Sequence, residues 1–179
     1  MSVLVLMGVA GSGKSTLAGM LAARLGWELC EGDDLHPAQN VAKMAAGTPL
    51  TDADRRPWLD RIAAWIRAHE DGIVTCSALR RSYRDALRGP QVRFVWLDGT
   101  REQLTARLTA RVGHYMPVAL LDSQLATLEP PGPDEHAIRV DISEPTAAQA
   151  DVVMAELADH SAPSAQRASQ EPPPPNQKG

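Results

Sequence analysis

The segment Gly8-Val9-Ala10-Gly11-Ser12-Gly13-Lys14-Ser15 constrains this chain more than any other. It matches G-x-x-x-x-G-K-[ST] at every fixed position, and its flanks are what that pattern needs. Before it, Val3-Leu-Val-Leu-Met7 is a continuous apolar run, as expected for a parallel strand covered on both faces. After it, Leu17, Met20, Leu21 and Leu25 recur at helical spacing, and Gly26 supplies a stop. Glycines at 8, 11 and 13 let the backbone wrap a phosphate group without Cβ clashes. The loop amides then point inward, and the helix N-terminus adds partial positive charge. Lys14 is expected to reach the β- and γ-phosphates of ATP as a point charge, and the Ser15 hydroxyl to ligate Mg²⁺. Thr16 is expected to help cap the helix, with a lesser role near the α-phosphate, which extends the nucleotide-binding set from Gly8 to Thr16. A glycine-rich turn matching by chance would lack this frame of strand and helix.

The rest of the chain alternates in the same way. Trp27 to Cys30 reads as a second strand, and Pro37 is pre-set for the first turn of a short helix. Thr51-Asp-Ala-Asp54 reads as a helix start, with Pro57 confining the regular helix to roughly that point onward and Gly72 breaking it. Ile73 to Cys76 and Val92 to Leu97 are the third and fourth strands, and Leu79 to Leu87 is an arginine-rich helix between them. Thr100 caps a helix carrying Leu104 and Leu108, and a glycine- and proline-interrupted segment, Val112 to Pro117, precedes another short helix. Ala137 to Ile142 is the last strand and Thr146 to Leu157 the last helix. Strands alternating with helices predict an α/β fold with three layers, α/β/α, around a five-stranded parallel sheet. Residues 1–160 form one domain on this reading, with a mobile lid at about 107–120; residues 161–179, rich in Ser, Pro and Gln, form a disordered tail.

Composition narrows the function. A net charge of −4 gives no basic field for nucleic acid or an acidic membrane, so any anion site must be local. The apolar run at the N-terminus is too short for a signal peptide or a span, which predicts a cytoplasmic protein with no membrane partner. Cys30 and Cys76 read as reduced thiols in the interior.

The P-loop classes can then be sorted. No N-K-x-D or D-x-x-G stands in place for a GTPase, and the third strand ends in Thr75-Cys-Ser77 instead of the acidic end usual in motor and transporter ATPases. A small-molecule kinase remains. Asp33 follows a glycine at the end of the second strand, the sheet edge where ligands bind in open α/β folds. A carboxylate there can orient the acceptor hydroxyl, accept its proton, or hold a Mg²⁺-bound water. An Asx turn ahead of Pro37 is the plainer role, and the one expected of Asp34. Arg107 and Arg111, four apart, share a helix face before Gly113 and are expected to close over the triphosphate on the lid and neutralise charge in transfer. A solvated arginine face is their alternative. Lys14, Asp33, Arg107 and Arg111 form the expected catalytic set.

Around this framework the residues carry a family resemblance. Glu31-Gly-Asp-Asp-Leu-His-Pro37, Asn40-Val-Ala-Lys-Met44, Gly47 to Leu59, Cys76 to Asp85 and Gly113-His-Tyr115 resemble the gluconokinases, P-loop kinases related to shikimate and nucleoside-monophosphate kinases. The resemblance covers most of residues 3 to 145. It implies transfer of the γ-phosphoryl group of ATP to the 6-hydroxyl of D-gluconate, and it alone implies a homodimer. Gluconate has one carboxylate and five hydroxyls, so its pocket needs cations with polar donors and acceptors. His36, Lys43, Arg56, Arg80 and Arg84 stand in the segments expected to flank it, with Asp33 and the Ser77 hydroxyl or amide. His114 could reach phosphate or substrate. Two departures, Tyr115 where the family commonly has Phe and Ser123-Gln-Leu125 where it has Ser-Gln-Phe, leave the charged groups intact. Shikimate or adenylylsulfate kinase activity, or a nucleotide-binding regulator without turnover, are the competing readings.

Overall fold

The computed structural model describes residues 1–110 and 118–161. Five strands, β1 (Ser2–Met7), β2 (Leu29–Glu31), β3 (Asp71–Thr75), β4 (Val92–Asp98) and β5 (Ile138–Asp141), form one sheet in the order β2-β3-β1-β4-β5. Every pairing is parallel, with Leu4 opposite Ile73, Val5 opposite Phe94, Cys30 opposite Val74 and Trp96 opposite Arg139. The helices are α1 (Lys14–Leu25), α2 (Ala38–Ala45), α3 (Asp52–Ala68), α4 (Arg81–Leu87), α5 (Arg101–Ala110), α6 (Val118–Thr127) and α7 (Thr146–Ser161). The apolar run of β1 feeds both faces alternately. Leu4 and Leu6 pack with Leu17 and Leu21 of α1, Leu104 of α5, Leu121 of α6 and Val153 of α7. Val3, Val5 and Met7 pack with Trp58, Ile62 and Ile66 of α3 and Tyr83 and Leu87 of α4. This is a three-layer α/β/α architecture around an all-parallel sheet, and it puts the β1 and β3 C-termini at one edge.

Several boundaries differ from expectation, each for a local reason. β2 starts at Leu29, two residues late, because its ladder is set by pairing with Ile73 to Thr75 of β3; Trp27 packs against the core instead. α3 begins at Asp52, five residues before Pro57. The Thr51 hydroxyl accepts from the Asp54 N–H and the Asp54 carboxylate accepts from the Thr51 N–H, so a reciprocal cap starts the first turn. Pro57 removes only one bond, on the exposed face at Ala53, where water can serve. α3 stops at Ala68, before Gly72, with the His69 ring stacked on Trp65 at 4.0 Å. α4 starts at Arg81 instead of Leu79, because Ala78 turns left-handed at φ 43° and Leu79 is buried. α7 runs on to Ser161, four residues past Leu157, so Ser161 belongs to the helix rather than to the tail. The remainder of the tail lies outside the described residues, as does half of the expected lid, 111–117, including Arg111 and His114.

Candidate active site

The loop between β1 and α1 has the cradle geometry its sequence demands. Gly8, Gly11 and Gly13 all have positive φ. At Gly11, with φ +80°, a Cβ would also stand 2.7 Å from Leu108 Cγ of α5, so the loop is pressed on that helix as only glycine allows. No side chain caps the N-terminus of α1, and the first backbone bond into the helix runs from Leu17 N–H to Gly13 O. The Ser12 hydroxyl is buried without a partner. Uncapped first-turn amides, a glycine hollow and an orphaned hydroxyl suit an oxyanion ligand such as phosphate. Lys14 Nζ reaches back across the hollow to Gly8 O at 2.9 Å and Val9 O at 3.0 Å. Gln124 Oε1, from α6, accepts the Ala10 N–H at 2.7 Å.

A second arm rises from β2. Gly32 is wedged against β3: a Cβ there would stand 2.0 Å from Thr75 O, so no larger residue fits. Its N–H donates to Thr75 Oγ1 (3.2 Å), that hydroxyl donates to Glu31 Oε2 (2.6 Å), and Ser15 Oγ donates to the same carboxylate oxygen (3.0 Å). The Gly32 carbonyl accepts from Trp58 Nε1 at 2.7 Å. Asp33 is therefore the second residue of a single 3₁₀ turn, Gly32–Leu35, whose first residue is fixed on both sides, and its side chain is exposed. The Cys76 thiol lies fully buried beneath, within the field of both Lys14 and Asp33, and burial pushes it up to about 12. Cys30 is half-buried and also raised by burial; both cysteines are free. Thiolate chemistry is not available to Cys76 at that value.

Facing this arm is a polar wall from α2, α3 and α4. His36 stacks on Trp58 at 4.3 Å between ring centroids, 9° from parallel. Burial lowers its pKa, Asp33 opposes that, and Arg55 adds to it, so the ring is neutral at pH 7. Asn40 Nδ2 meets His36 Nδ1 at 3.3 Å and Asp54 O at 2.8 Å. A donor facing Nδ1 leaves the imidazole proton on Nε2. Lys43 Nζ pairs with Asp54 at 2.6 Å, and this bond with the Thr51 cap holds the Asp54 carboxyl at about 2. Asp52 gathers Tyr83 (2.5 Å), Arg80 (3.1 Å) and Arg55 (3.6 Å), and both guanidiniums lie over the Tyr83 ring. Arg56 is exposed on α3, and Ser77, half-buried, accepts the Gly8 N–H through its carbonyl at 3.2 Å.

One expected site residue is placed elsewhere, and another stands at the phosphate loop. Arg84 does not face an acceptor. Its side chain is wholly buried and all its nitrogens are engaged, Nε and Nη2 with Glu135 and Nη1 with the carbonyls of Ala78 and Leu79. Arg107 lies beside the phosphate loop. It sits in the last turns of α5, where Nη1 donates to Ser12 O (3.1 Å) and Nη2 to Ile142 O, tying the phosphate loop to the turn after β5. Glu31, Thr75, Arg55, Asp52, Tyr83, Asn40 and Gln124 line the site without having been singled out from sequence. Glu31 carried a signal, since it stands at the same strand end as Asp33. Among the described residues no cluster of His, Cys, Asp or Glu forms a metal site on its own, and no helix is long and apolar enough to cross a membrane.

Comparison with known proteins agrees with this geometry. A protein-family profile described as "AAA domain" matches residues 3–131. The gluconokinase of Gluconobacter oxydans (strain 621H) is 52% identical over 163 residues, 88% of this chain and 89% of the relative. The thermosensitive gluconokinase of Escherichia coli (strain K12) is 49% identical over 146 residues, 78% of each chain. A crystal structure of a gluconokinase from Sinorhizobium meliloti 1021 superposes with a TM-score of 0.84 at 41% identity, covering 95% of this chain and 98% of that one.

Proposed function

The chain belongs to the gluconokinase family, and on that premise we propose a residue-level account of how it transfers the γ-phosphoryl group of ATP to gluconate. The observation that carries the reading is the likeness to the Gluconobacter oxydans gluconokinase over 88% of this chain. Geometry supports it, because the phosphate cradle after β1 and the fixed carboxylate turn after β2 flank the end of β3, joined by the Ser15–Glu31 bond, beside a wall of cations and hydroxyls. In this account Gly8 to Thr16 hold the triphosphate, and Lys14 exchanges the Gly8 and Val9 carbonyls for phosphate oxygens. Ser15 and, beside it, Glu31 suit Mg²⁺, a hard cation that takes one or two protein oxygens plus phosphates and supplies charge neutralisation when bound. Asp33 accepts the proton of the 6-hydroxyl as its oxygen bonds to the γ-phosphorus and the bond to ADP breaks, giving 6-phosphogluconate.

On the acceptor side, His36 offers Nε2–H to a gluconate hydroxyl, held by its stack on Trp58. Arg56, Arg80, Lys43 and the Ser77 hydroxyl supply cations and donors for the carboxylate and the remaining hydroxyls. Arg107 acts by anchoring the phosphate loop, and Arg111 and His114 are assigned to the closing segment through family likeness alone. Two free thiols and a locally built anion site suit a cytoplasmic enzyme. The test is a coupled assay for ADP with gluconate, shikimate and adenylylsulfate as separate acceptors. ADP formed with gluconate alone supports the account; ADP with shikimate or adenylylsulfate instead, or none with any acceptor, sinks it.

A further inference from the structure

We infer that Gln124 is a positioning residue of the phosphate-binding loop: its side-chain amide, carried on α6, sets the direction of the Ala10 N–H and with it the shape of the loop's first half. The contact is 2.7 Å long and joins residues 114 apart in sequence. Its polarity is fixed, since a backbone N–H can only donate, so the atom facing Ala10 is the amide oxygen. The contact is half-buried, where a hydrogen bond is worth more than on an open surface.

Both partners are held by their surroundings. On α6, Leu121 is fully buried, Leu125 packs on the same core, and Arg101 of α5 grips Asp122 through two nitrogens at 2.6 and 3.1 Å. Gln124 thus projects from a helix anchored one residue after and two and three before it. On the loop, Val9 is buried, Gly11 is pressed on Leu108, and Gly8 lies close to the Leu97 carbonyl. Ala10 sits between these fixed points, in a turn without a ladder partner, so its N–H must find a side chain or water. Amides that bind phosphate are effective when their direction is set before the ligand arrives. A neutral amide does this without adding charge to an anion site, which a carboxylate at the same place would not.

The inference rests on reading Gly8 to Ser15 as the phosphate cradle. Its test is Gln124→Met in the full chain, a substitution that keeps length and apolar volume and removes the acceptor. The KM for ATP should rise about fivefold to tenfold, the range one net hydrogen bond supports. The KM for gluconate and the kcat at saturating ATP should stay within about twofold, the pattern of lost uniform binding. The melting midpoint should fall by no more than about 4 °C, the cost of one half-buried hydrogen bond whose N–H can turn to water. An unchanged KM for ATP would overturn the inference, and a lowered one would make Gln124 a plug to be displaced. A joint shift of both KM values with the midpoint would reduce it to packing. Calorimetry with ATP on the parent protein separates the two readings: a parent that does not bind ATP overturns the cradle itself, whereas a parent that binds and a variant that matches it overturn only the role of Gln124.

Discussion

Replacing Arg84 by Met should unfold this protein at a much lower temperature, and the structure sets the scale. The Arg84 and Glu135 side chains are 0% and 1% exposed, and their fork is closed by bonds of 2.5 and 2.9 Å. Nη1 also serves Ala78 O at 3.0 Å and Leu79 O at 3.3 Å, bracing the left-handed turn at Ala78. Glu135 in turn accepts the Gly132 N–H at 2.9 Å. Met therefore strips Glu135 of its two-bond fork and Ala78 O of its donor, leaving the carboxylate only the Gly132 N–H and Arg88 at 3.8 Å, while Leu79 O keeps the Glu129 N–H. Breaking a buried ion pair from one side costs about 3–5 kcal/mol. At about 2–4 °C per kcal/mol for a chain of this size, the midpoint should fall by roughly 6–20 °C. The double variant Arg84→Met/Glu135→Leu should recover most of that loss, because no charge is then stranded. There is also a pH signature. The Arg84 guanidinium holds the Glu135 carboxyl below its usual 4.5, so this stability is present above 4.5 and lost as pH falls through the lowered value. Thermal melts of the parent and both variants at pH 7 and below 4.5 make the check. A single variant that melts within about 2 °C of the parent but needs far more gluconate would refute the argument and return Arg84 to the acceptor site.

The other expectations are shorter. Gly32→Ala puts a Cβ 2.0 Å from the Thr75 carbonyl and must part the ends of β2 and β3; a loss of about 3 kcal/mol or more is expected in denaturant melts, and a parental midpoint would contradict it. Because Lys43 and the Thr51 cap hold Asp54 at about 2 against 3.8, their contribution is present above pH 3.8 and lost as pH falls through about 2. An acid titration of Lys43→Met against the parent should show a smaller loss over that interval, and identical curves would deny the link. Asp33→Asn should lower kcat by about 10²-fold or more while gluconate still binds. If Asp34→Asn lost turnover and Asp33→Asn kept it, the chemistry would belong to Asp34.

What the chain determines by itself is local. The run Val3 to Met7, the glycines at 8, 11 and 13 and the periodic leucines after them specify a strand, a cradle and a helix, because each rests on neighbours in sequence. Thr51 and Asp54 mark the start of α3 for the same reason, and that cap overrode the breaker at Pro57. Strand alternation predicts a parallel sheet, yet not that β1 would stand between β3 and β4, since order depends on which faces must be buried together. The arginines show the limit best. Arg80, Arg81 and Arg84 look alike in sequence, but α4 buries the face of Tyr83, Arg84 and Leu87, and Glu135 arrives from 51 residues away. That makes Arg84 a strut, while Arg80 stays half-buried at the site beside Asp52. Gln124 reaches the loop across 114 residues, a distance no spacing rule spans. Backbone form follows from short-range sterics and hydrogen bonding; which side chain meets which is decided only when the layers pack.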